Sequence, residues 1–175
     1  MKFLWISISV LAALVAEAGV SAYGVALPVT AAAVFYLAVV FGWRVLLAPA
    51  LLAAVALEVL YGRRYGVTLV AAAATLAVAA VWRREGNCRS RLTQAAPGAI
   101  IGAANALVLL SCQCLLVERP SAGLAWHSAW VGGQWVGGGA LLLPLICTGS
   151  DRLARRFGLP QYRQAQQQPS QPHAS

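Results

Sequence analysis

The feature that most constrains this chain is a succession of six apolar runs, Met1–Val20, Leu27–Trp43, Val45–Tyr61, Val67–Trp82, Pro97–Val117 and Ala129–Thr148. Fifteen of the eighteen charged residues lie in the segments between and after them. At about 1.5 Å per helical residue, each run reaches about 24 Å or more, close to the thickness of bilayer hydrocarbon. Inside hydrocarbon no water is available to the backbone amides, so a spanning segment must satisfy its own N–H and C=O groups, as a helix does. The expected fold is all-α: a polytopic membrane protein with about six transmembrane helices in one bundle over residues 1–150. A basic interfacial segment is expected over 151–163, rich in arginine with Leu153 and Phe157 between. Residues 164–175, mostly Gln, Pro and Ser, have nothing to bury and are read as a disordered tail.

Composition agrees, with 60% hydrophobic and 10% charged residues. The net charge of +8 does not point to nucleic acid, because the cations lie between apolar runs and not on one solvated face. They instead set an orientation. With six spans and the start inside, Lys2, Arg44, Arg83, Arg84, Arg89, Arg91, Arg152, Arg155, Arg156 and Arg163, ten of the thirteen cations, are inner. Only Arg63, Arg64 and Arg119 are outer. This satisfies the positive-inside rule and makes both ends cytoplasmic. The first run also ends in Ala16-Glu17-Ala18, the form of a signal-peptide cleavage site. A retained helix is the preferred reading, because another membrane segment follows.

Several details of the runs can be anticipated. Pro28, Pro49 and Pro97 are expected in first helical turns, where the missing N–H costs nothing. Residues 83–94 and 121–128 are expected to be connections. The spacing Gly98-x-x-x-Gly102 and the glycines between Gly132 and Gly139 permit close helix crossings. Asn105 and Gln113 are expected to hydrogen-bond to neighbouring helices. The four cysteines, Cys88, Cys112, Cys114 and Cys147, lack zinc-ligand spacing and are read as small packing residues.

No catalytic set is recognisable: His127 is the one histidine outside the tail, and no nucleophile elbow or phosphate loop is present. The chain is expected to be non-enzymatic, without cofactor or metal. The residue that asks for explanation is Glu58, a carboxylate within an apolar run. Such a group costs about 2.5 to 3.5 kcal/mol at the centre of a span, and less near its edge. The orientation puts Glu58 about one turn below the outer surface, at a level similar to Glu17. Gly62, four residues on, is expected on the same helical face, leaving room beside the carboxylate. Arg44 lies fourteen residues away, about 21 Å along a helix, and is out of reach. Glu58 therefore either pairs with Arg63 or Arg64 to fix the helical hairpin, or faces a cavity open to the outer side.

The run from Pro28 through Trp43-Arg44 to Glu58, then Gly62 and Gly66, an apolar helix, and later a Pro144 span with a basic finish resembles the bacterial rod shape-determining protein family MreD. That family typically shows an acidic residue followed by glycine four and eight residues later between its third and fourth spans, and Glu58, Gly62 and Gly66 keep the spacing. Glu58 stands where the family usually has Asp. The resemblance implies a non-enzymatic inner-membrane partner of MreC and other elongation-machinery proteins, which helps to organise side-wall peptidoglycan synthesis. The partner-binding or structural polar site would comprise Glu58, Gly62, Gly66, Arg63, Arg64 and Glu17. The alternative is a substrate-binding membrane subunit of an energy-coupling-type vitamin transporter, a six-helix architecture similar to that expected for MreD.

Overall fold

A computed structural model describes residues 2–62, 66–85, 91–116 and 122–162. Arg63, Arg64, Cys88, Arg89, Arg119, Arg163 and the tail lie outside the described residues, as do the side chains of Arg91, Gln113 and Cys114. Six helices follow in order: α1 (Lys2–Ser21), α2 (Val29–Phe41), α3 (Trp43–Leu60), α4 (Val67–Glu85), α5 (Arg91–Leu116) and α6 (Ala122–Arg156). Five of them are long and apolar enough to cross a membrane. The chain is a multi-pass helical bundle.

The exception is α2, with 13 residues, or about 20 Å. It is shorter than the other five and forms the axis of the bundle. Thr30 and every residue from Ala32 to Val40 are buried, and each of the other five helices packs against it. Apolar side chains all round a helix, with no polar stripe, suit a helix surrounded on every side. Its C-terminus is abrupt. Gly42 takes a left-handed φ of 95°, α3 begins at the next residue, and a Cβ on Gly42 would lie 2.7 Å from Nη1 of Arg83.

Several helices run past the apolar segments that mark them. α4 continues through Arg83 and Arg84 to Glu85, and α5 begins at Arg91. Thus most of the stretch expected as a connection over 83–94 is helical. The stretch 121–128 is likewise helical from Ala122. Pro49 and Pro97 consequently sit seventh in their helices and not in first turns. Hydropathy marks where lipid begins, whereas a helix stops where its capping and turn residues stop it. Arg83 and Arg84 also favour continuation electrostatically, as cations beside the negative end of a helix dipole.

The most extensive helix pairing joins α5 to α6. It is built on backbone contact. A Cβ on Gly98 would lie 2.1 Å from the carbonyl oxygen of Gly139, and one on Gly102 would lie 2.2 Å from that of Trp135. Lipid offers no hydrophobic drive for pairing, so this close approach gains dispersion contacts instead.

Beyond the apolar part, Asp151–Arg156 continue α6. The helix then ends in a Schellman turn: Gly158 has φ 62°, and the N–H of Leu159 donates to the carbonyl of Ala154 at 2.9 Å. The chain folds back here. Tyr162 is fully buried, with its ring stacked on Tyr36 at 5.9 Å. One oxygen of Asp151 accepts from the Tyr36 hydroxyl at 2.8 Å and from the Tyr162 N–H at 3.0 Å. Trp5 meets Phe157 at 5.8 Å. These contacts gather the start of α1 and the ends of α2 and α6 at one end of the bundle, where Arg83 joins them at the α2–α3 turn. Cations dominate this end; the opposite end is organised by carboxylates.

Candidate functional site

Glu58 lies in the last turn of α3. The helix closes with the N–H of Tyr61 donating to Leu57 at 2.9 Å and that of Gly62 to Val59 at 3.2 Å. Gly62 (φ 58°) and Gly66 (φ 67°) are both left-handed, a conformation that costs a side-chain-bearing residue about 1 to 2 kcal/mol. They turn the chain so that α4 starts at Val67. Glu58 Oε1 then accepts a hydrogen bond from the N–H of Thr68, the second residue of α4.

This bond explains the carboxylate. The first four N–H groups of a helix have no partner within it, and the dipole leaves that end partly positive. A carboxylate brought across the turn satisfies one of them and offsets the partial charge. Gly62 takes a different part from the one its spacing suggests. It lies beyond the end of α3, is exposed, and has no heavy atom of the described residues within 4 Å of a would-be Cβ. Its backbone angle, not room beside Glu58, requires glycine. The ion pair with Arg63 or Arg64 lies outside the described residues.

Glu17 does the same for α2. Its Oε2 accepts from the N–H of Thr30 at 2.7 Å, and Thr30 is the second residue of α2. Pro28, the residue before that helix, makes no side-chain cap. A third side chain, Gln134 of α6, accepts from the N–H of Ala26 at 2.9 Å and fastens the α1–α2 connection. The α1–α2 and α3–α4 hairpins are therefore built alike: a glutamate near the end of the first helix holds the N-terminus of the second. The signal in the sequence is faint. Each recipient threonine follows a helix breaker and a valine, as Pro28-Val29-Thr30 and Gly66-Val67-Thr68.

Between these hairpins lies a cavity of about 50 Å³, lined among others by Glu17, Thr30, Tyr61, Thr68, Thr75 and Asn105. The Thr30 and Thr68 hydroxyls are buried there without a hydrogen-bonding partner among the described residues. Thr75 donates to the carbonyl of Ala71 at 2.9 Å. Asn105 Nδ2 donates to Ile101 O at 2.8 Å and reaches Thr75 Oγ1 of α4 at 3.4 Å, the interhelical bond expected of it. The cavity suits water. By the same measure a water needs about 10 to 15 Å³, and pockets for drug-sized ligands run from about 300 Å³ upward.

The site residues thus divide. Glu58, Gly62 and Gly66 form one turn, Glu17 forms the matching clasp on α1–α2, and Thr30, Thr68 and Gln134 join them unforeseen. Among the described residues no three His, Cys, Asp or Glu side chains gather as a metal site. Cys147 is buried and Cys112 partly so, and neither is in a disulfide. No family model, curated protein or solved structure matches the chain.

Proposed function

We propose that this chain is a non-enzymatic component of a bacterial inner membrane that acts in the manner of MreD, binding MreC within the cell-elongation machinery. The observation that carries the reading is the Glu58–Gly62–Gly66 turn. Its acidic residue and both glycines each have a separate physical task, the carboxylate on an α4 amide and the glycines in left-handed backbone. A spacing in which every member is required is stronger support for the resemblance than the spacing alone. The cation-rich end is the cytoplasmic one, and the carboxylate-clasped end faces outward, where the bulk of MreC lies in the family that the chain resembles. The vitamin-transporter alternative receives no support from the cavity, which at about 50 Å³ accommodates waters.

The test replaces the native copy with Glu58→Gln and, in parallel, with Glu85→Gln, an exposed carboxylate at the end of α4. Cell width and length are then measured. Glu58→Gln is expected to round or widen the cells, and Glu85→Gln to leave them rod-shaped. Equal and negligible effects would remove the role given to Glu58.

A further inference from the structure

A concavity larger than the one between the hairpins lies away from the carboxylate clasps. It is a groove of about 310 Å³ whose walls are α1 and α6 and whose floor is the axial helix α2. Trp5 and Ala13 mark its extent on α1, Ala33 and Leu37 lie on its floor, and Ile146 and Leu153 line it on α6. At the cation-rich end the two walls meet through the Trp5–Phe157 ring contact. Farther along they stand apart over the apolar floor.

Two features identify an occupant. The first is length. From Trp5 to Ala13 is eight residues, about 12 Å of helix, comparable with one leaflet's share of about 15 Å in a hydrocarbon core of about 30 Å. A partner's transmembrane helix would need a groove of twice that length, whereas an acyl chain entering from one leaflet does not. The second is charge. Residues three apart share a helical face. Lys2 precedes Trp5 by three and Arg156 follows Leu153 by three, so each wall carries its groove-lining face outward to an exposed cation. Both cations lie at the same end, beside the aromatic pair that suits the headgroup layer.

We infer that the α1–α6 groove is a binding site for one anionic phospholipid of the cation-side leaflet, with an acyl chain along α2 and the phosphate between Lys2 and Arg156. Basic pockets between transmembrane helices take anionic headgroups for the same reason: a cation near the surface attracts an anionic lipid by about 1 kcal/mol. The site is independent of MreC binding and rests only on the chain's being a membrane protein.

The experiment is native mass spectrometry of the detergent-solubilised full chain, titrated with phosphatidylglycerol and, separately, with phosphatidylcholine of the same acyl composition. Phosphatidylglycerol is expected to bind with one preferred site and phosphatidylcholine more weakly. Lys2→Gln and Arg156→Gln should each weaken phosphatidylglycerol about fivefold, and Arg84→Gln, an exposed cation on α4 away from the groove, should not. Ala12→Leu places bulk on an exposed groove-lining position and should displace the lipid, whereas Ala56→Leu, exposed on α3, should not. Equal binding of the two lipids would overturn the inference. So would equal losses in the Lys2, Arg156 and Arg84 variants, or an Ala12→Leu chain that keeps its lipid. Loss of a dimer in Ala12→Leu with lipid binding intact would assign the groove to a second copy and would also overturn it.

Discussion

Replacing Gly98 with alanine tests the tightest backbone contact at a glycine among the described residues. Its Cβ would meet the Gly139 carbonyl oxygen at 2.1 Å and the carbonyl carbon at 2.7 Å. Ordinary contact begins at 3.4 Å, so the two helices must separate by about 1.3 Å at this point (3.4 minus 2.1). Neither atom is the end of a flexible side chain, so no rotamer change relieves the clash. Overpacking costs about 1 to 3 kcal/mol where neighbours can move, and a backbone-to-backbone clash belongs at the upper end. Gly102→Ala, at 2.2 Å from the Trp135 carbonyl, should cost a similar amount. The double variant should cost less than the sum, because one separation of α5 from α6 accommodates both, and coupled neighbours depart from additivity. Gly137→Ala is the counterpart. It has open space around a Cβ, and the gain in helix propensity of about 1 kcal/mol makes it neutral or stabilising. The assay is reversible unfolding in mixed micelles, followed by circular dichroism. Gly98→Ala unfolding at the wild-type midpoint, or Gly137→Ala losing as much as Gly98→Ala, would refute the reasoning.

Glu58→Gln keeps an oxygen that can accept from Thr68 but removes the charge beside the α4 dipole; it should cost about 1 kcal/mol by the same unfolding assay. Glu58→Ala also leaves the amide without that partner and should cost about 2 to 3 kcal/mol; equal losses in the two variants would show that the clasp is not a hydrogen bond. Gly66→Ala should lose about 1 to 2 kcal/mol to its left-handed φ of 67°, with Gly66→Asn losing less; a fully stable Gly66→Val would contradict this. Asp151→Ala, which strips a partner from both Tyr36 and the Tyr162 amide, should destabilise more than Tyr36→Phe, which removes one bond worth about 1 kcal/mol. Proteolysis after Gly158 is the direct measure, and it should be faster in Asp151→Ala.

The number and order of the helices were legible because lipid demands long apolar segments, and the cations between those segments mark their ends. What hydropathy does not carry is the direction in which an apolar side chain points. Phe35 and Leu37 of α2 face other helices, Leu52 and Val59 of α3 are exposed at the bundle surface, and all four read alike. Lipid is as apolar as leucine, and the run Leu27–Trp43 is as long as its neighbours, so the sequence does not mark the axial place of α2. Polar extensions such as Arg83–Glu85 were unreadable for a related reason, since leaving the lipid does not end a helix.

The site was half legible. Glu58 stood out because its charge is costly in an apolar run, and Gly62 and Gly66 because glycine punctuates turns. The partner of Glu58 could not be found, because it is a backbone N–H, which every residue but proline possesses. Likewise Gly98 and Gly102 announce a close approach, but nothing in the sequence names Gly139 and Trp135 as the surfaces approached. Tyr162 was concealed most fully. It follows a basic segment that reads as surface, and only the left-handed turn at Gly158 returns it to Tyr36 and Asp151.

The most direct measurement of the proposed function is association with MreC. The full chain and MreC from the same bacterium are co-expressed and extracted in mild detergent, and the complex is isolated through an affinity tag on MreC. A stable complex is expected, retained in Glu85→Gln and lost or markedly weakened in Glu58→Ala at equal levels of folded chain. A folded wild-type chain that does not associate with MreC would contradict the proposal.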